Sequence, residues 1–215
     1  MKNYLAEFFG TALLLAIVAG SGFMGETLSA GNAAVALLGN SIATGAGLYV
    51  LITLLGPVSG AHFNPVVSLM SWKLGQLDSK KMLGYWLCQF SGAIAGIWLT
   101  HLLFSLPILQ ESTKVRTGLG IWASEFVSTL VLLAVIRIGE QVAKDKLPML
   151  VALTVTAGYW FTSSTFFSNP AVALARSFTN TFVGIAPNDV LGFVVAEVIA
   201  VLLMVRWFCR SNQSN

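Results

Sequence analysis

Two asparagine–proline pairs, Asn64-Pro65 and Asn169-Pro170, are the residues whose types and spacing most directly indicate a chemistry. Asn is a strong N-cap residue and Pro is favoured at the first helical position, so each pair predicts the start of a helix. Such a start carries roughly half a positive charge, and an Asn amide can donate hydrogen bonds. One Asn-Pro pair is only a common turn signal. Two pairs facing one passage would repel cations and protons and would hydrogen-bond to water or a hydroxyl group.

The elements that must position these pairs are membrane helices. The chain has 215 residues, of which 56% are hydrophobic and 10% charged, whereas a soluble domain carries about 25% charged residues. Six stretches approach the roughly 20 apolar residues that a membrane helix needs. These stretches are Tyr4–Gly20, Ala33–Gly56, Met82–Leu103, Gly118–Ile138, Leu147–Phe161 and Val190–Phe208. The sequence therefore predicts an all-α integral membrane protein with six transmembrane helices.

Two shorter apolar segments begin at the Asn-Pro pairs, one running from Asn64 to near Trp72 and the other from Asn169 to near Thr179. Each has about half the length needed to cross a bilayer, so each is predicted to be a re-entrant half-helix. The residues before them, 59–63 and 164–168, are predicted to be irregular. Their backbone carbonyls would form a row of hydrogen-bond acceptors for a solute that has lost its hydrating water.

The chain also contains an internal repeat, with one half at about 1–104 and the other at about 118–210 of a single domain, 1–215. Glu7-Phe8-Phe9-Gly10-Thr11 recurs as Glu125-Phe126-Val127-Ser128-Thr129, and Gln89 corresponds to Glu197. Each half reads as helix, helix, half-helix, helix. Because three spans per half is an odd number, the second half must insert upside down, and the two half-helix starts should meet near the bilayer midplane.

The basic residues predict the orientation. Nine of the twelve would lie on the side of the two termini and three on the other side, which places both termini in the cytoplasm, at the cell's inner (plasma) membrane. Their scattering along the chain does not indicate nucleic-acid binding, despite the net charge of +3. The nine are Lys2, Lys73, Lys80, Lys81, Arg137, Lys144, Lys146, Arg206 and Arg210, and the three are Lys114, Arg116 and Arg176.

The segments Ser59-Gly60-Ala61-His62-Phe63-Asn64-Pro65-Val66 and Asn169-Pro170-Ala171 resemble those of the aquaporin and aquaglyceroporin (major intrinsic protein) family. The resemblance extends over nearly the whole chain. It implies a right-handed bundle of six tilted helices and two half-helices, embedded in lipid as a homotetramer with one pore per subunit. It further implies passive movement of water or small neutral solutes, without a cofactor or metal. The pore-lining and loop residues by this resemblance include Gly60, Ala61, His62, Phe63, Phe167 and Ser168.

Four positions form the outer constriction in this family. Counting from the two Asn residues places three of them at Thr44, Ala157 and Phe166. The fourth position usually holds Arg, but here it is Val172. Water-selective members tend to combine that Arg with His and a large aromatic residue. The set found here is wider and more apolar, which favours solutes larger than water, such as glycerol, urea or uncharged metalloid hydroxides like arsenous acid. Some bacterial relatives with Val at this position resemble arsenic-associated channels.

Three ionisable residues have more than one interpretation, and a fourth is only partly explained. Arg176 lies one turn beyond Val172, so it could supply positive charge at the outer mouth or could reach towards lipid phosphates or a loop. Glu7 and Glu125 lie inside spans, where they could relay protons or, as their symmetry favours, could brace the re-entrant segments by accepting hydrogen bonds. Glu197 corresponds to Gln89, so its position could need only a hydrogen-bonding side chain, and the sequence does not explain its charge.

Two other classes of function compete with a passive channel. A secondary transporter can also have inverted repeats and broken helices, but only Glu197 hints at an ion site. An enzyme is disfavoured because the chain has two histidines, no cysteine pair at metal-ligand spacing and no Ser/His/Asp grouping. Within the channel class, a water-selective aquaporin remains an alternative.

Overall fold

The computed structural model describes residues 1–211, with side chains up to residue 209, so the side chain of Arg210 lies outside the described part. The described residues form eight α-helices and no strand, in agreement with the predicted six long and two short helices. A 3₁₀ turn, Lys144–Lys146, precedes α6. The helices are α1 Lys2–Leu28, α2 Ala33–Ser59, α3 Pro65–Lys73, α4 Ser79–Leu103, α5 Leu119–Val142, α6 Leu147–Phe161, α7 Pro170–Arg176 and α8 Pro187–Ser211.

Five of these helices are long and apolar enough to cross a membrane, namely α1, α2, α4, α5 and α8. The sixth predicted span, α6, has 15 residues, or about 22 Å of helix. That length is shorter than the roughly 30 Å hydrocarbon core. The 3₁₀ turn extends the segment at one end of α6, and the non-helical residues 162–169 extend it at the other.

The two short helices begin where the Asn-Pro pairs predict, with Pro at the first helical position and Asn as N-cap. The Oδ1 atom of Asn64 accepts a hydrogen bond from the backbone N–H of Val66 at 3.0 Å. The Oδ1 atom of Asn169 accepts from Ala171 at 3.0 Å and from Val172 at 3.3 Å. These bonds satisfy N–H groups that have no partner within the helix, so the caps fix both helix starts.

The packing of the long helices repeats between the halves, since α1 packs on α2 and α4 much as α5 packs on α6 and α8. The short helices cross between halves, with α3 touching α8 and α7 touching α4. Close approach of α4 to α1 depends on Gly92 and Gly96, since a Cβ atom there would meet the backbone oxygens of Phe8 and Ala12. Small residues spaced by four are typical of membrane helix contacts.

The burial pattern is the reverse of that in a soluble protein. Large apolar side chains such as Leu54, Leu87 and Trp207 are exposed, while Gln89 and Glu197 have no exposed surface. An apolar exterior of this kind fits a lipid environment, in which polar groups must find partners inside the protein.

Candidate functional site

The two N-cap asparagines bind each other's loops. The Nδ2 atom of Asn64 donates to the carbonyl oxygen of Ser168 at 2.7 Å, and the Nδ2 atom of Asn169 donates to that of Phe63 at 2.8 Å. The two helix starts therefore lie next to each other, although 105 positions separate them in the sequence. Each amide group has two hydrogens, so each Asn can hold the opposite loop with one hydrogen and offer the other to the cavity that both residues line.

The same unusual backbone conformation precedes both asparagines. Ala61 and Phe63 have φ values of 48° and 47°, and Phe166 and Ser168 have values of 56° and 48°. Positive φ is uncommon for residues other than glycine and is concentrated at functional sites. In both loops these residues stand three and one positions before the Asn. The backbone is non-helical here, so its carbonyls have no intrahelical partner.

Glu7 holds the first re-entrant loop. Its carboxylate accepts hydrogen bonds from the Ser59 hydroxyl at 2.6 Å and from the backbone N–H groups of His62 at 3.0 Å and Phe63 at 2.7 Å. The Nε2 atom of Gln89 donates to the same carboxylate at 2.8 Å. Four donors thus converge on one buried acid and fix the loop against α1 and α4.

Two acids hold the second re-entrant loop. Glu125 on α5 accepts from the backbone N–H of Ser168, and Glu197 on α8 accepts from that of Asn169 at 2.8 Å. The structure thus identifies a hydrogen-bond partner for Glu197, the backbone N–H of Asn169, that the sequence did not predict. Glu7, Glu125 and Glu197 are all absent from the wall of the cavity. This arrangement favours the bracing interpretation of the acids over a proton relay through the passage.

A cavity of about 170 Å³ runs between the half-helices and along α6, from Leu147 at one end to Tyr159 at the other. Twelve residues of helix correspond to about 18 Å. One wall is the non-helical backbone of residues 60–64, which includes Gly60 and His62. Ser71 and Glu140 lie at the end near Leu147. The opposite wall is apolar and consists mainly of Leu14, Val18, Leu48, Ile52, Leu132, Ile136, Val151 and Val155.

The outer end of the cavity brings together three of the four residues predicted to form the constriction, Thr44, Phe166 and Val172. The fourth assignment, Ala157, is wrong, because Ala157 is exposed and does not border the cavity. Tyr159 lies there instead, with its hydroxyl 3.2 Å from the Oγ1 atom of Thr44.

The helical period explains this correction. Val151, Val155 and Tyr159 follow each other at intervals of four and line the cavity together. Ala157 stands two residues from Val155 and therefore about 200° around the helix, on the face that points outward. Gly158 leaves room for the Phe166 ring, since a Cβ atom there would clash with it.

Arg176 borders the same outer end and is 2% exposed. Its guanidinium carbon lies 3.5 Å from the centre of the Phe167 ring, and its Nε atom donates to the carbonyl of Val183. Burial within the protein argues against a side chain reaching towards lipid phosphates. The positive charge therefore lies beside Val172, where the family usually has its Arg.

Two further basic residues, which the sequence analysis did not assign to the site, lie close to Arg176. The guanidinium of Arg116 is 5.4 Å from the Phe167 ring, and its Nε atom donates to the carbonyl of Gly184 at 2.8 Å. Lys114 donates to the carbonyl of Phe182 at 2.7 Å. Burial and the neighbouring Arg116 charge lower the pKa of Lys114. The outer end of the cavity is therefore electropositive.

Comparison with known proteins places the chain in a family. Residues 1–204 match the model of the major intrinsic protein family. The chain is 53% identical to aquaglyceroporin AqpS of Rhizobium meliloti (strain 1021), over 97% of the chain and 91% of that relative. It is 34% identical to a probable glycerol uptake facilitator protein of Thermotoga maritima, over 72% of each. Its fold matches the X-ray structure of the aquaglyceroporin from Plasmodium falciparum with a TM-score of 0.74, at 20% identity, over 96% of the chain and 94% of that structure. The chain belongs to the major intrinsic protein family.

Proposed function

We propose that this protein is a passive transmembrane channel for small uncharged solutes such as glycerol, urea or arsenous-acid-like metalloid hydroxides, and for water. The observation that carries the proposal is the cavity between the two facing half-helices, bordered at its outer end by Thr44, Tyr159, Phe166 and Val172. A cavity bordered by paired helix starts and non-helical backbone suits a solute that exchanges hydrogen bonds with water for hydrogen bonds with the wall.

The walls of the cavity favour a solute with two kinds of surface. The loop backbone at residues 60–64 offers hydrogen bonds on one side, while Leu48, Leu132 and Val151 offer apolar contact on the other. A polyol has hydroxyl groups and carbon–hydrogen groups that match these two walls. The names of the relatives, an aquaglyceroporin and a glycerol uptake facilitator, support the same substrate class.

Exclusion of cations and protons follows from the charges at the site. The amino ends of α3 and α7 each bring roughly half a positive charge towards the middle of the cavity. Arg176 and Arg116 add two guanidinium groups at the outer end. A cation entering from that side would meet this field before it reached the asparagines.

A water-selective channel is the second candidate. Tyr159 and Phe166 are large aromatic residues at the constriction, and Arg176 adds a guanidinium there. Together these three residues supply the volume and the positive charge that Val172 lacks, and both favour water over larger solutes. A secondary transporter is less well supported, because the buried acids engage the loops rather than the cavity wall.

We further propose that the channel lies in the cell's inner (plasma) membrane as a homotetramer with both termini in the cytoplasm. The apolar exterior supports burial in lipid. The excess of basic residues at the ends of the helices near the termini supports the orientation. The family resemblance supports the tetramer.

The decisive experiment is light-scattering flux of the purified protein in liposomes, with water, glycerol, urea and arsenous acid compared in parallel. A channel for larger solutes should raise the permeability of at least one solute besides water, without saturation at low concentration. Val172→Arg should suppress these larger solutes before it suppresses water. Val172→Leu is the control, because it adds volume without charge. Equal loss of all solutes in Val172→Arg would contradict the assignment of Val172 to the constriction.

A further inference from the structure

Glu125 and Glu197 form a pair of carboxyl groups beneath the second re-entrant loop, called the acid pair below. Both residues are fully buried, and their side chains lie close enough to act on each other. Each holds a different point of the loop, since one Glu125 oxygen accepts from the backbone N–H of Ser168 and one Glu197 oxygen accepts from that of Asn169. Asn169 is the residue that caps α7 and binds the opposite loop.

The remaining oxygen of each acid lacks an N–H donor. Oε2 of Glu125 and Oε2 of Glu197 are both buried, and neither accepts a hydrogen bond from an N–H group of the described residues. The Ser164 hydroxyl and the Phe167 N–H also face Glu125, but neither donates to its Oε2 atom within hydrogen-bond geometry. Two ionised carboxylates can only accept hydrogen bonds and would repel each other at contact. A proton between the two Oε2 atoms would turn one group into a donor and satisfy both.

The first half of the molecule places a corresponding acid and partner beneath its loop, although the Oε1 atom of Gln89 accepts no hydrogen bond from the described residues. There the partner of Glu7 is Gln89, whose Nε2 atom donates to Oε2 of the carboxylate at 2.8 Å. Gln89 and Glu197 are the corresponding residues of the repeat. A protonated Glu has the shape of Gln and can likewise donate from one atom and accept at the other, although Gln has two donor hydrogens and protonated Glu one.

We propose that Glu125 and Glu197 share a single proton, so that Glu197 acts as the hydrogen-bond donor that Gln89 is in the first half and thereby positions Asn169 in the passage. One negative charge then remains on the acid pair. Arg176 on α7 and Arg116 on the loop before α5 are the cations that act on Glu125, and they balance that charge. Tyr159 on α6 faces the same two cations.

Infrared spectroscopy of the purified protein tests the shared proton directly. The wild type at neutral pH should show the carbonyl stretch of a protonated carboxylic acid, and this band should shift in D₂O. The band should disappear in Glu197→Gln and in Glu125→Gln, because an amide then supplies the donor. Glu111→Gln changes an exposed acid and should leave the band unchanged. Absence of the band in the wild type, or its persistence in both variants of the pair, would overturn the proposal.

Rescue by the conservative variant tests the positioning role. Glu197→Gln should keep wild-type water permeability in liposomes, because the amide can donate to Glu125 and its oxygen can still accept from Asn169. Glu197→Leu should lower permeability several-fold, since it leaves the Asn169 N–H and the Oε2 atom of Glu125 without a partner. An equal loss in both variants would contradict the proposal. The infrared result does not depend on conduction, so failure of the acid pair is distinguishable from failure of the channel.

Discussion

Tyr159 and Phe166 are the two bulky side chains at the outer constriction, so they set the size of solute that can pass. Tyr159→Ala should raise the permeability to glycerol and urea relative to water, because it removes the ring and its contact with Thr44. Liposome flux measures this ratio. Ala157→Leu is the matched control on the exposed face of the same helix, and it should leave the ratio unchanged. A changed ratio in Ala157→Leu, with no change in Tyr159→Ala, would indicate that Ala157 lies at the constriction.

Arg176 is predicted to keep cations out of the passage. Its charge lies at the outer end of the cavity, where repulsion in a partly dry site is stronger than in water. Arg176→Ala should therefore raise cation conductance in planar bilayers, whereas Arg176→Lys, which keeps a charge, should raise it less. Unchanged conductance in Arg176→Ala would show that the helix starts alone exclude cations.

Counting along the chain from the two Asn residues placed three constriction residues correctly, including Thr44, which lies twenty residues before Asn64. Phe166 and Val172 lie within three residues of Asn169, and counting along the chain placed both at the constriction. Ala157 lies twelve residues away, across the irregular residues 162–168, where the rise and rotation per residue are not fixed. The hydrogen bonds between Asn64 and Ser168 could not be predicted either, because they depend on how the two loops meet in three dimensions.

At the scale of the helices, an apolar stretch predicts only the part of a helix that lies in lipid. The helix itself can extend beyond that stretch. The predicted α1 ended at Gly20, but the helix continues to Leu28. Its last turns include the charged residue Glu26 and polar neighbours that can remain helical in water. The opposite case is α6, where the predicted apolar stretch ends at the last helical residue, Phe161. Loop backbone then completes the crossing.

The contact between α1 and α4 makes a prediction about stability. Gly92→Ala should destabilise the protein by about 1–3 kcal/mol, because its Cβ atom would meet the backbone of Phe8, which cannot move aside like a side chain. Gly39→Ala is the matched control, since nothing lies near that position and Ala favours a helix. Thermal unfolding in detergent measures the difference. Equal stability of the two variants would argue against close packing of α1 on α4.

At the scale of the whole molecule, the two halves have the same helix order but differ in the side chains that hold their re-entrant loops. Gln89 also donates to the Ser68 hydroxyl at 3.0 Å, whereas the position corresponding to Ser68 is Ala173. The first half therefore holds its loop with neutral donors around one carboxylate. The second half uses two acids near the outer cations. The sequence revealed the repeat, but the reason for the change from Gln to Glu depends on contacts that only the folded chain provides.

Orientation in the membrane determines which end of the cavity solutes meet first. If both termini are cytoplasmic, the end near Glu140 opens inward and the end with Arg176 opens outward. Cys209 on α8 is exposed and provides a natural probe. In a Cys88→Ser background, a membrane-impermeant maleimide should label Cys209 in inverted vesicles but not in intact cells.

The matched probe for the other side is Glu111→Cys with both native cysteines changed to Ser, because residue 111 is exposed on the loop after α4. This cysteine should be labelled in intact cells. Labelling of Cys209 from outside, with residue 111 protected, would reverse the orientation. The guanidinium groups of Arg116 and Arg176 would then lie at the cytoplasmic end of the passage, and Arg176→Ala would remove charge from that end.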